Sequence, residues 1–130
     1  MSTMTPYLAV HDARAAIAFY AEAFGATEAE RYENEDGSIG HVTLTIGGAS
    51  LYLSDEAPDY HAWSPKTLGS RTTCAVVLAV DDADTVFASA VAAGATVDRE
   101  PEAAGPDGER RGWILDPFGH HWAISSSPAG

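Results

Sequence analysis

Apolar residues recur along the chain first with the period of a strand and then with that of a helix, and this succession occurs twice. Apolar segments at residues 5–10 and 73–80 predict strands, and each leads to an aspartate that can accept hydrogen bonds from the first turn of a helix. The helices are predicted from apolar side chains at helical spacing: Ile17, Tyr20, Ala21 and Phe24 in the first, and Val86, Phe87, Ala90 and Val91 in the second. Gly25 and Gly94 are predicted to end them.

Three strand-like segments separated by turn residues follow each helix. They are predicted at residues 27–33, 41–46 and 49–54 in the first half, and at residues 96–100, 110–115 and 120–125 in the second. Turns are predicted at Asp36-Gly37, at Gly47-Gly48 and at residues 116–119. The order is therefore β-α-β-β-β, twice.

Short identities support an internal duplication. The segment LAVHDA at residues 8–13 reappears as LAVDDA at residues 78–83, and GAT at residues 25–27 reappears at residues 94–96. We predict a single domain over residues 1–130, with a first module at about residues 4–55 and a second at about residues 72–126. Residues 56–71 form the linker, whose prolines and glycine argue against a helix.

Charge and composition exclude several classes of function. The 130 residues include 7 Lys+Arg against 19 Asp+Glu, a net charge of −12. Nucleic acid and anionic membranes are poor partners for such a chain, because both need clustered basic residues. The only cysteine, Cys74, cannot form an internal disulfide. The N-terminal residues lack the features of a signal peptide and no apolar run is long enough to span a bilayer, so we expect a cytoplasmic protein.

The duplicated module and its motifs resemble the glyoxalase/bleomycin-resistance/dioxygenase superfamily, also called vicinal-oxygen-chelate (VOC) proteins. The motifs are the Leu-Ala-Val strand before each helix, Phe-Tyr in the first helix followed by Phe-Gly-Ala, and the closing Asp-Pro-Phe-Gly-His-His-Trp. Residues 53–56, residues 64–66 and Arg110 are similar to the PhnB-like branch. The resemblance implies an α+β fold in which two βαβββ modules form a curved mixed sheet around a cleft, commonly in a homodimer. It does not fix the function, because this fold serves both metal enzymes and metal-free binders.

Metal enzymes of this superfamily take ligands, usually His and Glu, from the first and last strands of each module. The resemblance places these positions at Thr5, Tyr52, Ala75 and Ala123, none of which is a usual metal ligand. Shifting the alignment by one residue does not restore a His and Glu set. The sequence therefore predicts no metal and no cofactor.

Strand alternation predicts which side chains line the cleft, because apolar residues at every second position should pack on the helices. The predicted lining is Tyr7, His41, Thr43, Thr45, Ser50, Tyr52, Ser54, Thr73, Val77, Ile114, His121 and Ser125. Trp113, Trp122 and Cys74 are expected to be buried away from the cleft. His120 belongs to the closing turn and is expected to be structural.

Tyr60 and Trp63 are aromatic residues of the linker, and two roles fit them. They can lie over a flat ligand, or they can anchor the linker against the sheet or a second subunit. With them, the candidate ligand-binding residues are Tyr7, His41, Thr43, Tyr52, Tyr60, Trp63, Ile114 and His121.

Two functions of different class follow. The favoured one is a metal-free small-molecule-binding protein of the bleomycin-resistance type, a homodimer that holds an aromatic or amphipathic ligand, such as an antibiotic, and sequesters it. The alternative is a glyoxalase-like lyase or isomerase, or a dioxygenase, with a displaced metal held by His41, His121 and Tyr52. A metal-free enzyme that uses Tyr52 or His121 as acid or base is not separated from the first by the sequence. Whether the modules pair within one chain or between two is also open.

Overall fold

The computed structural model describes residues 1–128, which form two βαβββ modules. The first module contains β1 (Tyr7–Val10), α1 (Ala13–Phe24), β2 (Thr27–Glu33), β3 (Ile39–Ile46) and β4 (Ala49–Asp55). The second contains β5 (Ala75–Ala79), α2 (Ala83–Ala93), β6 (Thr96–Ala104), β7 (Glu109–Leu115) and β8 (His121–Ser126). A single 3-10 turn, Pro58–Tyr60, lies in the linker. The predicted α+β fold class is confirmed.

Each module forms a four-stranded mixed sheet. The strand orders are β1-β4-β3-β2 in the first sheet and β5-β8-β7-β6 in the second. The first strand of each module runs parallel to the last, and the other pairs are antiparallel. Over residues 1–128 the two sheets share no strand pairing, so the curved surface is built from two sheets rather than from one continuous sheet.

The strand boundaries differ from the predicted ones where proline and bulges intervene. The first strand begins at Tyr7 rather than at residue 5, since Pro6 has no amide to donate to a ladder. Strand β6 continues past Pro101 to Ala104, because register shifts on both sides of Arg99 absorb the irregularity.

Both helices are capped at their N-termini in the same way. Asp12 accepts a hydrogen bond from the Ala15 amide (3.1 Å), and Asp55 at the end of β4 accepts one from the Ala13 amide (2.7 Å). In the second module Asp82 caps α2, and Ser126 at the end of β8 accepts from the α2 amide of residue 83 (3.1 Å). The last strand of each module therefore fixes the start of its helix, which is what the duplicated pattern requires.

Asp116 joins the modules through a buried carboxylate. One oxygen accepts from the backbone amides of Phe118 and His120, both at 2.9 Å, and the other accepts from Trp122 Nε1 (2.9 Å) and from the Tyr20 hydroxyl of α1. Burial, followed by the charge of Asp116, raises the pKa of Tyr20 well above its usual value near 10. The closing motif thus holds the first helix against the second sheet.

His120 makes a second link between the modules. Its side chain is buried, and Nε2 lies 2.8 Å from the Ala9 carbonyl oxygen of β1. This contact confirms the expected structural role. Neither helix of the described residues has the length and apolar character needed to cross a membrane.

Candidate functional site

Three aromatic side chains cluster on the face of the first sheet that points away from the helices, which we call the first open face. The strand register sets Tyr52 of β4 beside Tyr7 of β1 and Thr43 of β3. The ring centroids of Tyr7, His41 and Tyr52 lie 4.9–5.7 Å apart in edge-to-face orientations. Tyr7 is 53% exposed, so the cluster is accessible from outside the chain.

A chain of hydrogen bonds fixes the orientation of this cluster. His41 Nε2 lies 2.8 Å from Thr43 Oγ1, and His41 Nδ1 lies 3.1 Å from the Tyr7 hydroxyl. That hydroxyl donates in turn to the Gly40 carbonyl oxygen (3.3 Å). Because both ring nitrogens of His41 have hydrogen-bond partners, the orientation of the imidazole is fixed by neighbouring side chains.

Tyr60 and Trp63 border a cavity of about 530 Å³ that also contains Tyr7 in its wall, which we call the linker cavity. Their exposed fractions are 84% and 45%, so neither ring is packed into the core. Ser54, Cys74 and His120 complete this part of the wall. Tyr7 is therefore the member of the ring cluster that the linker aromatics meet in this cavity.

Glu56 holds the linker in this position. Its carboxylate accepts hydrogen bonds from the amide and hydroxyl of Ser64 (3.2 Å each) and from the Thr67 hydroxyl (2.9 Å). These bonds lower the pKa of Glu56, the Ser64 amide having the largest effect. The loop that presents Tyr60 and Trp63 is thus ordered by its own side chains.

His121 does not join His41 and Tyr52. It lies in the second sheet, where Nε2 is 3.0 Å from Asp98 Oδ2 and the ring is 4.8 Å from that of Trp113. The structure thus brings Tyr7, His41, Thr43 and Tyr52 together and sets His121 apart from them.

Three expected placements are wrong. Ile114 is fully buried in the core rather than lining the cleft, because it shares a face of β7 with Gly112, whose α-carbon lies against Phe87 of α2. Trp113 consequently points to the opposite, open side of the second sheet rather than into the core. Cys74 is exposed, since it precedes β5 and lines the linker cavity instead of packing under the sheet.

The other residues whose facing was predicted are partly buried and partly exposed. Trp122 and Ile124 are buried in the core as expected. Ser125 is buried opposite Arg111 in the strand register, so it is not available to a ligand in this chain. Thr73, Ser50 and Val77 are exposed.

Sequence reasoning missed Tyr32, Trp113 and Cys74 as members of the open surface. Tyr32 pairs with His41 across β2 and β3 and is 65% exposed. Strand β2 is exposed along its whole length, so its side chains give no apolar alternation from which the facing could be deduced. The position of Trp113 could have been deduced from Gly112. A glycine on a strand often marks the close approach of another element, so Gly112 and, two residues on, Ile114 would face the helix and Trp113 the open side.

The positions that would carry the superfamily's metal do not fit a metal ion. Thr5 precedes β1, and the register places the phenol of Tyr7 beside that of Tyr52. The corresponding residues of the second sheet, Ala75 and Ala123, have methyl side chains. Within residues 1–128, no three His, Cys, Asp or Glu side chains converge as a metal site would require.

The model of the Glyoxalase/Bleomycin resistance protein/Dioxygenase superfamily matches residues 3–124. The chain belongs to this superfamily. It is 40% identical over 127 residues to an uncharacterised protein of Mycobacterium tuberculosis, with 93% of this chain and 72% of that protein covered.

Solved structures share the fold. TioX from a Micromonospora species is 26% identical with a TM-score of 0.73, and the match covers 99% of this chain and 98% of that one. The PhnB protein from Bacillus cereus is 17% identical with a TM-score of 0.69, and covers 97% and 100%. The second likeness shows the fold alone.

Proposed function

We propose that the protein is a metal-free binder of small molecules, of the bleomycin-resistance type, that holds an aromatic or amphipathic ligand against the first open face. The observation that carries the proposal is the ordered, solvent-accessible cluster of Tyr7, His41 and Tyr52. Its rings provide apolar contact area, and its hydroxyl and imidazole groups offer hydrogen bonds at their edges. Tyr60 and Trp63 cover the ligand from the linker side, and sequestration of a compound such as an antibiotic is the biological outcome.

The same proposal includes a homodimer, because Tyr7 on the first open face is exposed in the single chain and a second subunit would enclose it. It also includes membership of the PhnB-like branch, supported by residues 53–56 and 64–66, and a cytoplasmic location. His121 is kept in the proposal as a ligand contact on the second sheet rather than beside Tyr52.

Calorimetric titration with naphthalene-2-carboxamide in the presence of a chelator tests the binding. We expect the wild type to bind, Tyr52→Phe to bind within about threefold of it, and Tyr52→Ala to bind about tenfold more weakly, since the aromatic contact is lost. Equal affinity in Tyr52→Ala would contradict the proposed site.

Elemental analysis after exposure to Zn, Ni, Mn and Fe(II) tests the metal-free part of the proposal. We expect substoichiometric metal in the wild type. Near-stoichiometric metal that is lost in His41→Ala would overturn the proposal and favour the metal-enzyme alternative.

A further inference from the structure

Cys74 is the only cysteine of the chain, and it is exposed in the wall of the linker cavity. It precedes β5, and the parallel register that pairs Ala75 with His121 brings it beside His120. His120 reaches the Ala9 carbonyl oxygen of β1 (2.8 Å) and lines the same cavity. The thiol therefore lies where the second module meets the first, open to a molecule in the cavity.

Ser54 borders the linker cavity from the first module with an unused hydroxyl. It lies on the same side of β4 as Tyr52, and it pairs with Ala9 in the register of β1 and β4. Ser54 is only 5% exposed, and within residues 1–128 its hydroxyl makes no hydrogen bond. The hydroxyl is still reachable, because Arg111 Nε is the only unpartnered side-chain nitrogen or oxygen of the described residues that is fully enclosed. A buried hydroxyl that faces a cavity without a partner indicates a hydrogen bond that a ligand completes.

Ala9 connects the thiol and the hydroxyl. It pairs with Ser54 in the sheet, and its carbonyl oxygen accepts the hydrogen bond of His120, the neighbour of Cys74. Ala9 itself also lines the linker cavity. A single small molecule in this cavity can therefore meet both groups.

The rest of the wall favours an uncharged aromatic molecule. The rings of Tyr7, Tyr60 and Trp63 border the cavity and are exposed, so they can pack on a flat ligand. Among the described residues, the wall contains no Asp, Glu, Lys or Arg side chain. The cavity volume of about 530 Å³ lies within the range of roughly 300–1,000 Å³ that is usual for ligand pockets.

We propose that the linker cavity is a covalent capture site, in which Cys74 adds to an aromatic α,β-unsaturated carbonyl compound and Ser54 donates a hydrogen bond to the carbonyl oxygen of that compound. This inference rests on the proposed function, because the linker aromatics hold the compound before the thiol reacts. It extends reversible sequestration to irreversible capture of a reactive molecule.

The covalent step is a conjugate addition. The Cys74 sulfur forms a C–S bond at the β-carbon, the π bond between the α- and β-carbons breaks, and an electron pair moves to the carbonyl oxygen as an enolate. The α-carbon then takes a proton from water, which balances the proton that the thiol released, and no oxidant or reductant is needed. Because negative charge develops at the carbonyl oxygen, the Ser54 hydroxyl stabilises the transition state more than the ground state. The aromatic contacts raise the effective concentration of the compound beside the thiol.

Labelling with two maleimides, followed by intact-protein mass spectrometry, tests the inference. N-(2-naphthyl)maleimide carries an aromatic ring system and N-ethylmaleimide lacks it, and the rates of both with glutathione correct for their intrinsic reactivity. At pH 7 we expect Cys74 to prefer the naphthyl compound about tenfold after this correction, since the aromatic contacts hold it in the cavity. Cys74→Ser should remain unlabelled, and Trp63→Ala should be labelled but lose most of the preference.

Cys74→Ser combined with Ser89→Cys is the matched control. Ser89 is exposed on α2 and does not line the linker cavity, so this variant has one accessible thiol outside it. Its corrected preference should be about onefold, because the linker aromatics do not hold the probe there. Ser54→Ala should slow both maleimides about fivefold, the effect of one net hydrogen bond, and leave the preference unchanged. Near-ultraviolet circular dichroism verifies that each variant is folded.

The outcomes separate the two proposals. An equal preference in the wild type and in the control with the relocated thiol would overturn the capture site. Labelling rates that are unchanged in Ser54→Ala would also overturn it, since the unused hydroxyl is the group that the ligand completes. Neither result affects the proposed function, which the calorimetric titration of the wild type with naphthalene-2-carboxamide tests separately. Absence of that binding together with absence of an aromatic preference would overturn both proposals.

Discussion

Replacement of Asp116 by asparagine removes the acceptor that links the two modules while changing the side-chain volume little. The carboxylate has four donors, two at each oxygen, and its exposed fraction is 5%. If the NH₂ group of the new asparagine side chain points toward the backbone, it faces the N–H groups of Phe118 and His120, and two donors meet a donor. If it points the other way, it faces Trp122 Nε1–H, but the Tyr20 hydroxyl can rotate and accept a hydrogen bond from it.

The less costly orientation therefore loses one hydrogen bond to a charged group and leaves a buried indole N–H without an acceptor. Each of these losses is worth about 1–3 kcal/mol. The asparagine side chain is neutral, so the cost of burying a carboxylate charge disappears and offsets part of this loss. We expect the free energy of unfolding to fall by about 3 kcal/mol. That is a large share of the roughly 5–15 kcal/mol typical of a domain.

Urea denaturation followed by circular dichroism measures this change. With an m-value of about 1–3 kcal/mol/M, the midpoint should fall by about 1–3 M urea. Asp107→Asn, in an exposed loop, is the control and should stay within about 0.5 kcal/mol of the wild type. A similarly small effect in Asp116→Asn would refute the claim that this carboxylate holds the modules together.

Two further predictions concern stability. Because burial and the charge of Asp116 raise the folded-state pKa of Tyr20, the stability that its protonated hydroxyl provides is complete below the unfolded-state pKa of about 10 and is lost as the pH rises from there toward the folded-state pKa. The free energies of unfolding of wild type and Tyr20→Phe should therefore differ by a constant amount below about pH 10 and begin to converge above it; parallel curves above about pH 10 would contradict this. Gly112→Ala should lower the free energy of unfolding by about 1–3 kcal/mol, since the added Cβ would lie 2.7 Å from the Phe87 ring. Gly48→Ala is the control and should be near neutral, because the space around Gly48 is open. Equal shifts of the melting temperature in the two variants would contradict the described packing of β7 on α2.

The fold was predictable from the sequence because the elements of each module are signalled locally. Asp12, Gly25 and their counterparts Asp82 and Gly94 mark the helix ends, and period-two alternation marks strands that are buried on one face. The network around Asp116 was not predictable, since it joins residues almost a hundred positions apart whose pairing no local pattern encodes.

The candidate site was predictable on the first sheet and less so on the second. Strands β3 and β4 alternate strictly, which placed His41 and Tyr52 on the open side. On β7 the sequence Arg-Gly-Trp-Ile-Leu has apolar residues at consecutive positions, so alternation does not show which of them face the helix. A shift of the prediction by one residue therefore placed Ile114 on the open side and Trp113 in the core, the reverse of their actual positions. Cys74 was misplaced because its strand begins one residue later than the apolar run suggests.

Mapping of ligand contacts by nuclear magnetic resonance tests the central claim most directly. Isotope-labelled protein would be titrated with naphthalene-2-carboxamide in a chelating buffer, and the amide resonances that shift would be assigned. We expect saturable shifts that concentrate on β1, β3 and β4 around Tyr7, His41 and Tyr52. Shifts confined to other surfaces, or binding that appears only after a divalent metal is added, would contradict it.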